Sequence, residues 1–253
     1  MTASILETVL APGLLRWTLH HPRKRNALTP DMLAWLERRS HELAGEVVIL
    51  NGDGETSFCA GFDLDALPDA PPEQVPPDDP LARTTAAMRR ADATFIAALH
   101  GHIFGAGVEL ACSCDLRIAR DDTRLTIPAA RLGIVYHADG VATLHHVLGP
   151  ALTQRLLLLG ETLGIDELQR AGAVHAVRGG SDLLDAAVGA ATRLRAGAPA
   201  SLRAHRDRLR GLLAGTPPGP DYHAARLAAF ASDDHREGRA AARERRPPRF
   251  TGR

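Results

Sequence analysis

Two stretches of this chain run from an apolar strand through glycine into the start of a helix: Ser57-Phe58-Cys59-Ala60-Gly61-Phe62-Asp63-Leu64 and Gly105-Ala106-Gly107-Val108-Glu109. The first follows Val47-Val48-Ile49-Leu50, and the second follows Phe95-Ile96-Ala97-Ala98-Leu99. Strands that alternate with helices call for a layered α/β core. Small residues at such junctions let a ligand approach the backbone, and the unpaired N–H groups of a first helical turn carry the positive end of the helix dipole. The pair reads in two ways: as a two-amide oxyanion hole, or as two tight turns with glycine at positive φ. A dinucleotide site fits poorly, because the third glycine of G-x-G-x-x-G would fall at Leu110.

The surrounding pattern supports the α/β reading. Leu14 to Leu19 reads as a strand, and Thr29 to about Leu43 as a helix with Thr29 at the N-cap and Pro30 first inside it. Between Ala66 and Pro80 the chain carries six prolines, from Pro68 to Pro80, among acids, which predicts a mobile surface loop able to serve as a lid. A helix from about Leu81 to Thr94 leads into the strand Phe95 to Leu99 and then a glycine-punctuated turn; Leu116 to Ala119 and Leu125 to Ile127 are further strands. Beyond Asp139 the pattern reads as purely helical, with segments at Ile165 to Ala171, Asp182 to Arg195, Ser201 to Leu213, Tyr222 to about Ser232 and Arg236 to Arg245. An α/β core over 1–195 and a helical region over 196–253 follow from this.

Composition narrows the function. The 253 residues can bury a sizeable core, and Lys+Arg and Asp+Glu, both 30, give no field to steer nucleic acid or an anionic membrane. No apolar run reaches the length of a transmembrane helix. The N-terminus lacks the basic region and cleavage site of a signal peptide. Cys59, Cys112 and Cys114 do not make a disulfide framework, which fits a cytoplasmic location. Cys112-Ser113-Cys114 with His100 and His102 lacks zinc spacing, so no metal is expected. The basic run Arg243 to Arg249, in a neutral chain without an aromatic stripe, reads as solvated surface.

In order along the chain, five stretches resemble the enoyl-CoA hydratase/isomerase, or crotonase, superfamily. They are Asn26-Ala27-Leu28, Phe58 to Leu64, Gly101 through Glu109-Leu110-Ala111 to Cys114-Asp115, Leu132-Gly133-Ile134, and Ser232-Asp233-Asp234 to Phe250. The resemblance implies a crotonase-like spiral of ββα units with a helical C-terminal trimerisation region, assembled as a homotrimer or dimer of trimers. It implies an enzyme of acyl-CoA thioesters, in fatty acid metabolism, with no cofactor beyond the coenzyme A of the substrate. The thioester oxygen would sit between the N–H groups of Phe62 and Ala106, where the superfamily usually has glycine at the second position.

Glu109 matches the first of a hydratase's two catalytic glutamates, the alternative being a structural ion pair with an arginine such as Arg117. The second glutamate is missing: the pattern places it after a proline, and here Pro128 is followed by Ala129. Tyr136, His137 and Asp139 replace a glycine-rich turn just beyond. The Leu-Gly-x-x-Tyr spacing ending at Tyr136 is similar to methylmalonyl-CoA decarboxylase, although a surface-turn tyrosine reads equally well. His137 reads as a solvated turn histidine or a substrate contact, and Asp139 as the N-cap of the helix that runs to Leu148. By resemblance, contacts to substrate and coenzyme A would come from Arg23, Arg25, Phe58, Ala60, Asp63, Gly105, His137 and, from a neighbouring subunit, Arg245. Asp65 stands where many relatives have a lysine near the nucleotide. Isomerisation, slow hydration, decarboxylation and a catalytically silent acyl-CoA-binding protein all stay open.

Overall fold

Residues 2–66 and 76–253 are described in the computed structural model of the chain. The expected lid falls largely on 67–75 and so lies outside the described residues. The first unit, Met1–Ala187, begins with β1 (Ser4–Ala11), which pairs antiparallel with β2 (Leu14–His20) and stands at the edge of its sheet. Thr29 caps α1 (Pro30–His41), its hydroxyl accepting from the Met32 N–H at 3.3 Å, and the helix packs Met32, Leu33 and Leu36 inward.

From there the chain winds as a spiral, laying a long strand in one sheet and a short one in a second. Strand β3 (Ala44–Gly52) is followed by β4 (Ser57–Cys59) and then α2 (Asp79–Arg90); β5 (Asp92–Leu99) by β6 (His102–Phe104) and α3 (Ala106–Cys112). Next come β7 (Leu116–Arg120), β8 (Arg124–Thr126), α4 (Ala129–Leu132), α5 (Ala138–Gln154), β9 (Thr162–Gly164), α6 (Ile165–Arg170) and β10 (Ala176–Arg178). The large sheet has the order β1-β2-β3-β5-β7-β10, parallel from β2 onward; the small one has β4-β6-β8-β9, antiparallel only at β8–β9. This repetition of two strands and a helix is the ββα spiral that the resemblance implied. The large parallel strands read as continuous apolar runs because both their faces are covered. Trp17 anchors the interior, edge-on to Trp35 with ring centroids 5.1 Å apart and tilted against Phe95 at 5.7 Å.

Three expectations are corrected. The helix before β5 ends at Arg90, not Thr94, because β5 starts at Asp92 to complete its register with β3. The glycine-punctuated turn after β5 contains β6, and the stretch beyond Asp139 is not purely helical, since β9 and β10 close the edges of the two sheets. Strands of three residues have too little length to show a period in sequence.

The second unit, Val188–Arg253, starts within α7 (Leu183–Arg195), upstream of the boundary expected after 195. It holds α8 (Pro199–Leu213), α9 (Pro220–Ala231) and α10 (Asp233–Glu244). The returning C-terminus is tied to α10. Asp234 accepts from the N–H groups of Thr251 and Gly252 at 2.7 and 3.0 Å, and Glu237 takes both terminal nitrogens of Arg246 at 2.6 and 2.9 Å. Leu209, Leu212, Leu227 and Phe230 are exposed in this unit. No helix among the described residues is long and apolar enough to cross a membrane.

Candidate functional site

The two glycine junctions meet at the N-terminus of α3. Leu28 donates to the Gly61 carbonyl at 2.7 Å and accepts from the Asp63 N–H at 2.8 Å, which forms a parallel bridge to Phe62. The Gly61 junction lies against the start of α3: the position a Cβ would take on Gly61 is 3.1 Å from the Phe104 carbonyl oxygen and 3.7 Å from the Ala106 nitrogen. Ala106 is the first residue of α3, so its N–H has no acceptor within the helix. Gly105, at φ 49° and ψ −118°, makes the turn into the helix while its N–H donates to Thr126 O at 2.9 Å. Gly107 lets the helix press on β4, because a Cβ there would lie 2.7 Å from that of Cys59.

Glu109 stands one turn inside α3 and is wholly buried. Its partner is not Arg117, which spends its guanidinium on the carbonyls of Ala173 and Cys114 at 2.7 and 2.6 Å. Instead Oε1 accepts from Thr85 Oγ1 of α2 at 3.2 Å and lies 2.9 Å from His137 Nε2, while Oε2 has no hydrogen-bond partner among the described residues. Neither Thr85 nor Gly140, whose missing side chain leaves room beside Oε2, carried any sequence signal. Thr85 is one threonine of an ordinary amphipathic helix, placed here by tertiary packing.

His137, read from sequence as a turn residue or substrate contact, is the N-cap of α5, its Nδ1 accepting from the Gly140 N–H at 3.2 Å. Asp139 therefore is not the cap. It sits in the first turn, its carboxylate 4.0 Å from Arg89 and its carbonyl accepting from Thr143 Oγ1. The hydrogen bond to Glu109 raises the pKa of His137 above its usual value, aided by the charges of Glu109, Asp78 and Asp139. Tyr136 is half-buried, its hydroxyl 3.8 Å from the position a Cβ would take on Gly105. Burial, chiefly, and the nearby Glu109 keep it a neutral phenol. Ala129, at the position of the second glutamate, is buried at the start of α4 and carries nothing to titrate.

The other predicted residues are spread around this centre. Arg23 and Arg25 are exposed on either side of Lys24, with Arg25 in the left-handed region at φ 51°. Lys24 itself is ion-paired to Asp63 and, at 2.7 Å, to Asp65. Lys24 holds the carboxyl of the buried Asp63 below its ordinary pKa, so that Asp63 is engaged by Lys24. Asn26 is fully used inside the fold, donating to the carbonyls of Asp53 and Ser57 at 2.8 and 2.9 Å. Phe58 is a core side chain, and its carbonyl oxygen would lie 2.4 Å from a Cβ on Gly52; Ala60 is half-buried. Arg245 is exposed at the end of α10 in the second unit. Cys59, Cys112 and Cys114 are buried, and burial pushes the Cys59 and Cys112 thiols up to about 12. Among the described residues no group of three His, Cys, Asp or Glu side chains is gathered to hold a metal ion.

Comparison with known proteins agrees with the fold. The family model for enoyl-CoA hydratase/isomerase matches residues 11–253. The chain is 30% identical over 249 residues to the 2,3-dehydroadipyl-CoA hydratase of Escherichia coli K12, covering 95% of this chain and 96% of that protein. It is 34% identical over 208 residues to YngF of Bacillus subtilis, covering 80% of each. Its fold is similar to the crystal structure of an enoyl-CoA hydratase/carnithine racemase from Magnetospirillum magneticum, with a TM-score of 0.89, 27% identity, and coverage of 100% of this chain and 97% of the other. The spiral, the ordered motifs and these matches together identify the chain as an enzyme of the enoyl-CoA hydratase/isomerase family.

Proposed function

We propose that this enzyme binds an acyl-CoA, stabilises its thioester enolate with the N–H groups of Phe62 and Ala106, and moves the proton with Glu109. The observation that carries this is Glu109 itself: a wholly buried carboxylate with one oxygen unbonded among the described residues, one turn from the Ala106 amide. When a proton leaves the α-carbon, charge flows into the thioester oxygen, and fixed amides stabilise that oxyanion without having to reorganise. Hydration is the reaction this site supports least. It asks one group to activate water and another to protonate carbon, and Ala129 offers neither. Isomerisation needs a single base. Arg23, Arg25 and a neighbouring copy's Arg245 are the cations we assign to the phosphates of coenzyme A, with the carbonyls of Phe58 and Ala60 accepting from the adenine amine. A trimer-based assembly would cover the apolar residues exposed on α8 and α9.

A second reading is decarboxylation of a malonyl-type thioester, favoured by Tyr136, whose neutral hydroxyl stands beside Gly105 at the α3 start and could orient the departing carboxylate. Loss of CO₂ leaves the same enolate and needs no water activation. The test measures α-deuterium exchange of butyryl-CoA and CO₂ release from malonyl-CoA and methylmalonyl-CoA. Glu109→Gln should lower exchange by about 10²–10⁴-fold, and Tyr136→Phe should lower CO₂ release. A wild-type protein that binds acyl-CoA but turns none over would be a silent binder. Fast hydration of crotonyl-CoA, undiminished in Glu109→Gln, would overturn the proposal.

A further inference from the structure

We infer that His137 is the positioning residue of Glu109: its Nε2–H holds Oε1 and leaves Oε2 as the atom that takes the substrate proton. This rests on the reading of Glu109 as the acid/base, and it gives the segment that lost the second glutamate a role in the same reaction. Three observations converge. The Gly140 N–H points at His137 Nδ1 from 3.2 Å, so Nδ1 must be an acceptor and the ring hydrogen sits on Nε2. That nitrogen is 2.9 Å from Glu109 Oε1, so the ring donates to the carboxylate. Oε2, by contrast, is buried without a hydrogen-bond partner among the described residues, and the Cβ that Gly140 lacks would lie 2.7 Å from it.

The same geometry argues against a proton shuttle. To pass a proton outward the ring would need a hydrogen on Nδ1, where it would face the Gly140 N–H and uncap α5. The proton bookkeeping therefore ends on Glu109. The α-carbon C–H bond breaks, its electron pair passes into the thioester enolate, and the proton bonds to Oε2. The reverse step returns it, or returns a deuteron after Oε2–H exchanges with D₂O. A doubly protonated His137 opposes the cap in the same way, so the neutral ring is the working form. The charged groups around it are Glu109 on α3, Asp78 before α2 and Asp139 on α5, with Arg89 of α2 against Asp139.

Two substitutions separate positioning from capping. Glutamine places an N–H where Nε2 stands but lacks an acceptor at Nδ1; asparagine caps α5 well but cannot reach Glu109. With butyryl-CoA in D₂O at pH 8, His137→Gln should keep most of the α-exchange, while His137→Asn should lose roughly 10²-fold in kcat, the scale of a misplaced catalytic group. Thermal melting should show the opposite order, with His137→Asn near wild type and His137→Gln lower. Wild-type exchange should fall on the acid side as His137 gains its second proton, and His137→Gln should lack that limb. Full exchange in His137→Asn, or equal loss in both variants, overturns the inference. A readout that needs no turnover is ¹⁵N NMR of the free protein at pH 8. An Nε2–H imidazole whose titration moves to lower pH in Glu109→Gln supports the inference, and an Nδ1–H imidazole overturns it. Absence of exchange in the wild type would overturn the proposed function, and the NMR result would still decide the placement of His137.

Discussion

The two segments that meet at Glu109 are built in opposite ways. All seven residues of α3 are buried and Gly107 is pressed on β4, whereas the segment from Pro128 to Gly140 leaves Leu132, Ile134 and Val135 exposed, Val135 at 88%. The first segment carries Ala106, whose amide we assign to the oxyanion and whose position is set by close packing that tolerates little change. The second carries side chains: His137, Tyr136 and the alanine where a glutamate would be expected. A surface segment can exchange such groups without refilling the core, and it is in this segment that Ala129, after Pro128, departs from the pattern the resemblance implied.

The comparison can be broken first at the packed segment. Gly107→Ala puts a Cβ 2.7 Å from the Cys59 Cβ and 3.1 Å from the Cys59 carbonyl oxygen, so α3 must move off β4. Overpacking of this kind costs about 1–3 kcal/mol, and a displaced Ala106 amide costs on the order of 10²–10³ in rate. Melting and α-exchange should fall together; wild-type values in both would show that the amides do not depend on this contact.

On the other segment, stability and activity should part. Gly140 is helical, so Gly140→Ala is a normal helix substitution worth about 0.5–1 kcal/mol in favour of the fold. Its Cβ would nevertheless lie 2.7 Å from Glu109 Oε2 and 2.9 Å from His137 Nε2, forcing the pair to shift. The expected result is a near-wild-type melting temperature with α-exchange lowered by roughly 10²-fold. Retained activity would mean that Oε2 is not the reacting oxygen.

The contrast also explains what could be read from the sequence. Thr29 with Pro30 announces α1 and the structure has that cap, because the whole device lies within four residues. Glu109 stands out as a lone carboxylate among Val108, Leu110 and Ala111, but the residues alone leave an ion pair with Arg117 equally open. Only the fold, which buries Glu109 and gives the Arg117 guanidinium to backbone carbonyls, removes that pair. The α5 cap was assigned to Asp139, a strong local capper, and the structure has His137, because a buried carboxylate 28 positions earlier competes for that ring. No local pattern records such a partner. Strands β6, β9 and β10 were missed for a related reason: each is three residues long and exists only as an edge or partner for a strand formed elsewhere. Strand β1, whose polar Glu7 accepts from Trp17 Nε1 at 2.8 Å, has its alternation masked by an apolar outer face.

The smallest expected effect falls on the residue that sequence favoured as the cap. Asp139 is 79% exposed and 4.0 Å from Arg89, a surface pair whose removal costs less than about 0.5 kcal/mol. A true N-cap replaced by alanine loses about 1 kcal/mol, so the stability of Asp139→Ala distinguishes the two assignments by calorimetry. Its electrostatic effect has a definite sign. Asp139 is one of the carboxylates that raise the His137 pKa; removing it lowers that pKa, so His137 stays neutral to more acid conditions. The acid limb of α-exchange should therefore move slightly to lower pH, with the plateau unchanged within about twofold, the span of a rim charge screened by solvent. A limb that moves to higher pH would mean that the group titrating there is not His137.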